Sequence, residues 1–185
     1  MNRPEYIAGL ALARLIEAAM PNRESIALQR RLRVSSLTVE ARCSFVAVLR
    51  CSADGDEFAV RPAGQLCAVI GVHRFHDERL FDALAWPLEA PDQPRRYLGR
   101  APLLGAVWPP QGHPLRVHEH PEAWLAAGCD GTVPFDGRGL QLIAAHDGPL
   151  VAADVQHGRW LREALRPHGR GGDVHVPRAA LEVAA

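Results

Sequence analysis

A chain of 185 residues, 48% apolar and 23% charged, suits one domain or one domain with a small appendage, and is too apolar to be disordered over most of its length. Its 21 basic residues are all arginine and are balanced by 21 acids, so the whole molecule is not a polycation that would bind nucleic acid indiscriminately. Only residues 1–50, with eight arginines against four acids, lean that way.

In chain order, Pro4 stands where a first helical turn tolerates proline, and Leu10, Ala11, Leu15, Ala18 and Ala19 recur at helical spacing, which predicts a helix over residues 4–19. Pro21 and Asn22 end it, and Glu24 to Arg33 reads as a second helix with Arg30, Arg31 and Arg33 outward. From Ser36 the pattern shifts to short apolar or β-branched runs. Leu37-Thr38-Val39, Ser44 to Leu49, Glu57 to Val60 and Leu66 to Val72 read as strands of an antiparallel meander, with Asp54-Gly55 as a hairpin signal. Leu80 to Trp86 is ambiguous between helix and strand. Residues 87–114 carry seven prolines and read as an extended connection, with Leu103 to Trp108 as a short strand inside it.

The last third is the most regular. Strands at Leu115–His118, Gly131–Phe135, Pro149–Ala153 and Asp173–Val176 alternate with helices at Pro121–Ala127, Leu140–Ala145 and Gln156–Leu165, the last with Trp160, Leu161, Ala164 and Leu165 inward. Such alternation is the signature of a parallel sheet with helical crossovers. The expected fold class is therefore α+β: N-terminal helices and an antiparallel β-meander (residues 1–86), a proline-rich connection (87–114), then a small α/β layer with a parallel sheet (115–185).

Cys43, Cys51, Cys67 and Cys129 include no C-x-x-C pair and sit among apolar residues, which predicts buried, reduced thiols and a cytoplasmic location. The apolar run Ile7 to Ala13 is too short, and too closely flanked by charge, to be read as a signal peptide or membrane span.

Chemistry in a parallel sheet lies beyond the carboxyl ends of its strands. Three acids fall there: Glu119, Asp136 and Asp154. Clustered carboxylates of this kind hold Mg2+, but acids also follow strands because turns and helix N-caps favour them. His118 and His120, with His113 or Cys129, offer zinc-ligand types, and His73, His76 and Asp77 form a second cluster. Neither set has a known ligand spacing, and both are equally read as hydrogen-bonded or surface histidines. The arginines Arg30, Arg31 and Arg33 are candidates for phosphate contact, or a solvated helix face. There is no G-x-S-x-G, P-loop or G-x-G-x-x-G motif.

The stretch LRVHEHPEAWLAAG, then GTVPF, GPLVAADVQHGRWLREAL and GDVHVP, resembles the Toprim domain of topoisomerases and primases over residues 115–177. That resemblance puts Glu119 at the family's catalytic glutamate, Asp154 at the first acid of its Asp-x-Asp pair, and Gly158-Arg159 near its helix-start glycine. His120 stands where the family has glycine, and Gln156 where it has the second aspartate, an amide that lacks the anionic charge a metal needs. The expectation is a non-catalytic accessory or interaction protein in nucleic-acid transactions of a mobile element, without cofactor, whose partner is a protein or a nucleic acid. The alternatives are a divergent Mg2+-dependent nuclease or primase fragment using Glu119, Asp136 and Asp154, and a His-ligated zinc protein.

Overall fold

The computed structural model describes residues 3–19, 22–74, 79–105, 107–170 and 172–177. The chain divides into two compact units between Ala101 and Pro102, within the proline-rich stretch. Helices precede and flank an antiparallel sheet in the first unit, and a small parallel sheet with helices makes the second, an α+β arrangement. None of the described helices is long and apolar enough to cross a membrane.

The first unit opens with α1 (Arg3–Ala18), α2 (Arg23–Arg31) and α3 (Ser36–Cys43). The third helix corrects the strand expected at Leu37–Val39. Ser35 is its N-cap, accepting the Thr38 amide at 3.0 Å, and Val39 and Cys43 are buried one turn apart while Leu37 faces solvent. An i, i+4 pair makes one helical stripe, and the flanking residues disguise it as a β-branched run.

Five strands follow: β1 (Val46–Asp54), β2 (Glu57–Val60), β3 (Gln65–His73), β4 (Leu80–Pro87) and β5 (Arg95–Arg96). Asp54 pairs with Glu57 across a two-residue turn in which Gly55 takes φ +59°, as the Asp-Gly signal implies. The strands close into a barrel in the order β1-β2-β5-β4-β3, the last closure made by β5, antiparallel to β4 and parallel to β2. Inside it Cys51, Phe58, Cys67, Val69, Ala83 and Ala85 pack with Leu12 and Leu15 of α1. The Cys51 and Cys67 thiols hydrogen-bond to each other there, which pushes Cys51 up and Cys67 down. All four cysteines are buried, and none is in a disulfide.

Two polar clamps set the position of the other elements. At β1, the Ser25 hydroxyl accepts the Val48 amide at 3.0 Å and the Asn22 side-chain amide donates to the Val48 carbonyl at 2.9 Å. The N-terminus of α2 is thereby fixed to the strand. The second clamp is Asp82 of β4, wholly buried. Its carboxylate accepts four backbone amides: Ala83 and Leu98 on one oxygen, both at 2.8 Å, and Arg100 at 2.8 Å and Ala101 at 2.9 Å on the other. A buried charge is tolerated only when its lone pairs are met, and here backbone dipoles meet them.

In the second unit β6 (Leu103–Leu104) pairs antiparallel with β8 (Val133–Pro134), and β7 (Leu115–Arg116), β9 (Leu150–Val151) and β10 (Val174–His175) form a parallel sheet in the order β10-β9-β7. A parallel bridge from Val117 to Thr132 continues it. Between the strands run α4 (Pro121–Ala126), α5 (Gly137–Ala144) and α6 (Val155–Leu165). The core is Leu115, Val117, Ile143, Leu150, Ala152, Leu161, Leu165 and Val174. Trp160, expected inward, is 47% exposed: the buried stripe of α6 runs through His157, Gly158, Leu161 and Leu165, and Trp160 lies to one side of it.

Asp82→Asn should lower stability by about 3 kcal/mol, because the amide nitrogen would face two buried N–H donors and the charge would be gone. Urea unfolding followed by circular dichroism checks this.

Candidate functional site

The residues beyond β7, β8 and β9 form the carboxyl edge of the second unit. Arg116 pairs with Val151, and Glu119 and Asp154 each lie three residues further along, so the two acids follow the paired ends of neighbouring parallel strands at the same distance in sequence. Asp136 follows β8.

Two of the three acids have structural partners. Asp154 is the N-cap of α6 and accepts the His157 amide at 2.8 Å. Asp136 is the N-cap of α5: one oxygen accepts the Arg138 and Gly139 amides at 2.9 and 3.1 Å, and the other meets the Arg138 guanidinium at 3.0 Å. Both thus sit at the positive ends of helix dipoles, where a carboxylate satisfies otherwise unpaired amides. Glu119 is exposed, as is Gln156. Among the described residues no group of three or more His, Cys, Asp or Glu is arranged to hold a metal ion.

The histidines of this edge have their ring nitrogens assigned by their partners. The His118 Nε2 lies 2.7 Å from the Asp130 carbonyl, which can only accept, so Nε2 carries the proton. The His120 Nδ1 accepts the Ala123 amide at 3.2 Å as the N-cap of α4. A metal needs a free imidazole lone pair. His118 keeps one at Nδ1, whereas that of His120 is engaged by the helix it caps, so joint ligation would undo the cap. His113 is exposed, its carbonyl accepting His146 Nε2–H at 2.9 Å, and Cys129 is buried. In the other cluster His73 shares a 2.7 Å hydrogen bond with the Ser44 hydroxyl, while His76 and Asp77 lie outside the described residues.

The edge contains one group that sequence reasoning passed over. His157 is only 1% exposed, its Nδ1 accepts the Ala153 amide at 3.1 Å, and its ring stacks on Trp160 with centroids 5.5 Å apart. Its Nε2 is buried without a hydrogen-bond partner among the described residues. Since Nδ1 accepts, Nε2 bears the proton of the neutral ring and faces the interior as a donor. Burial pulls the affinity of His157 for a second proton down, Asp154 opposes this, and His120 adds to it. His118 is lowered in the same way, first by burial, with the Asp130 carbonyl opposing. A helical wheel hints at His157, which shares the stripe of Leu161 and Leu165.

In the first unit Arg30 and Arg31 occupy the last turn of α2 and are exposed, Arg31 engaged with a neighbour. Arg33 is exposed at φ +56°. Its amide donates to Arg30 and that of Val34 to Gln29, the double bond of a Schellman cap, whose left-handed position glycine normally takes. Arg23 and Arg30 line a shallow groove on α2 with Asn22 and Ile26.

Comparisons with protein-family models, with curated proteins and with solved structures find no match for this chain.

Acid should destabilise the second unit. Unfolded histidine takes up a proton near pH 6.5, whereas buried His118 and His157 do so lower, so between those values protons favour the unfolded chain. Stability is full above about pH 6.5 and falls as pH drops below it. Melting temperatures across this window should decline by several degrees, and His157→Phe, which keeps the ring but not its titration, should flatten the slope.

Proposed function

We propose that this chain is a non-catalytic accessory or interaction protein acting with nucleic acid, and that its second unit is a Toprim-like layer whose acidic edge has passed from metal binding to holding the fold. The observation that carries this reading is the engagement of Asp136 and Asp154 as helix N-caps, the first also paired with Arg138. A metal centre needs carboxylates free to face an ion and its waters. Of the three acids only Glu119 lacks a capping role, and Gln156 brings no charge to assist it.

The nucleic-acid side of the reading rests on α2. Arg30 and Arg33 project from its carboxyl end, and Arg33 holds a backbone conformation that costs a non-glycine residue roughly 1 kcal/mol. Cations at a helix C-terminus also complement its dipole, which accounts for Arg30 without a ligand. The Schellman cap sets the φ of Arg33, and phosphate contact would supply a reason for arginine rather than glycine at that position.

Two assays decide. Titration with Mg2+ and Mn2+, beside nuclease and primer-synthesis tests, should show weak metal binding and no metal-dependent activity, in wild type as in Glu119→Gln. Activity present in wild type and lost in Glu119→Gln would overturn the non-catalytic reading. Arg33→Gly should raise stability by about 0.5–1 kcal/mol and weaken binding to a short DNA duplex. Unchanged DNA binding would remove Arg33 from the interface.

A further inference from the structure

In the first unit, a cavity of about 410 Å³ lies between α1 and the end of the β3–β4 hairpin. Its size falls within the range of small-molecule sites. Three arginines line it, Arg74, Arg79 and Arg100, together with Leu12, Phe81 and Gly9. No acid is among the described lining residues. The nearby carboxylate of Asp82 has both oxygens occupied by backbone amides.

Each part of this lining is placed by the backbone. The Arg74 amide donates to the Arg79 carbonyl, which fixes the base of the hairpin end. The Arg100 amide is held by Asp82. Phe81 is the extra residue of a β-bulge: Val72 pairs with Asp82 and His73 with Leu80, so Phe81 has no partner across the ladder. Bulges of this kind re-aim a side chain. The Arg74 guanidinium lies over the Phe81 ring, 5.0 Å from its centroid. A guanidinium placed over an aromatic face keeps N–H donors for an anion.

Gly9 is the second, independent observation. It sits within α1, where glycine costs about 1 kcal/mol relative to alanine. No packing demands it, since a Cβ added there meets nothing within 4 Å. Its missing side chain leaves the cavity open.

We propose that this cavity binds an organic phosphate of nucleotide size, the phosphate taken by Arg74 and Arg100 and the base or sugar lodged against Leu12, Phe81 and the open face at Gly9. Guanidiniums lining one cavity suit a phosphate dianion, and the apolar lining suits the group that carries it. The same chemistry is presented by a free mononucleotide and by the end of a nucleic-acid strand. The inference stands on the first unit alone and does not depend on the acidic edge of the second.

The test is calorimetric titration of the full chain with adenosine 5′-monophosphate, with a 5′-phosphorylated single-stranded oligodeoxynucleotide, and with inorganic phosphate. Wild type should bind one of the first two at least about tenfold more tightly than inorganic phosphate. Binding of the mononucleotide assigns a free nucleotide, and binding of the oligonucleotide alone assigns a strand end. Gly9→Leu should intrude into the cavity and weaken that binding about tenfold or more, with an unchanged or higher melting temperature, while Gly9→Ala should retain it. Arg74→Gln and Arg100→Gln, which leave the helix untouched, should each weaken it as well. Equal affinity in wild type, Gly9→Leu and the two arginine variants would overturn the proposal, as would binding of neither organic phosphate.

Discussion

The first unit depends on one buried charge. Asp82 lies at 0% exposure, and its two oxygens gather amides from its own neighbour and from Leu98, Arg100 and Ala101. Those bonds hold the segment that follows β5, and β5 is the short strand that closes the barrel between β4 and β2. Two residues of ladder would be a weak closure by themselves. Three charge-assisted bonds, from Leu98, Arg100 and Ala101, make it firm, and they also place Arg100 on the cavity beside α1.

The second unit uses the same physics with a different geometry. Two acids and one histidine of its edge stand at helix starts, where unpaired amides need an acceptor. Asp136, Asp154 and His120 each supply one. The edge of a parallel sheet is where such folds place their chemistry because helix N-termini converge there. The same convergence draws in capping side chains, and here capping accounts for Asp136, Asp154 and His120. Buried His157 is the exception, a ring whose Nδ1 has a partner and whose Nε2 has none among the described residues.

Much of this was legible in the sequence. The strand–helix alternation after Leu115 was enough to expect parallel pairing, and β7, β9 and β10 pair so. The helix expected at Pro121–Ala127 stops just before Gly128, which takes the left-handed position of a Schellman cap with φ +70°. The Asp-Gly turn placed the first hairpin. Other features were not legible, for reasons that can be named. The β5 strand pairs through its backbone over two residues, Arg95 and Arg96, and no apolar pattern announces it. Asp82 sat in an apolar run that fitted helix or strand, and nothing local indicates a carboxylate that collects amides up to 19 positions away. At α3 the deciding signal was Ser35 before a Val39–Cys43 stripe, which β propensity masked. At the acidic edge, the positions of the carboxylates could be read, but their partners could not.

The most direct test of the structural role of that edge is the sign of a stability change. Asp136→Ala and Asp154→Ala are melted with and without excess Mg2+. If the carboxylates are caps, each variant loses about 1 kcal/mol and several degrees, and Mg2+, bound only weakly, moves the melting temperatures of wild type and variants alike by no more than about a degree. If they form a metal site, removing either acid relieves repulsion and leaves stability unchanged or higher, and Mg2+ raises the melting temperature of the wild type alone. That second result would contradict the account.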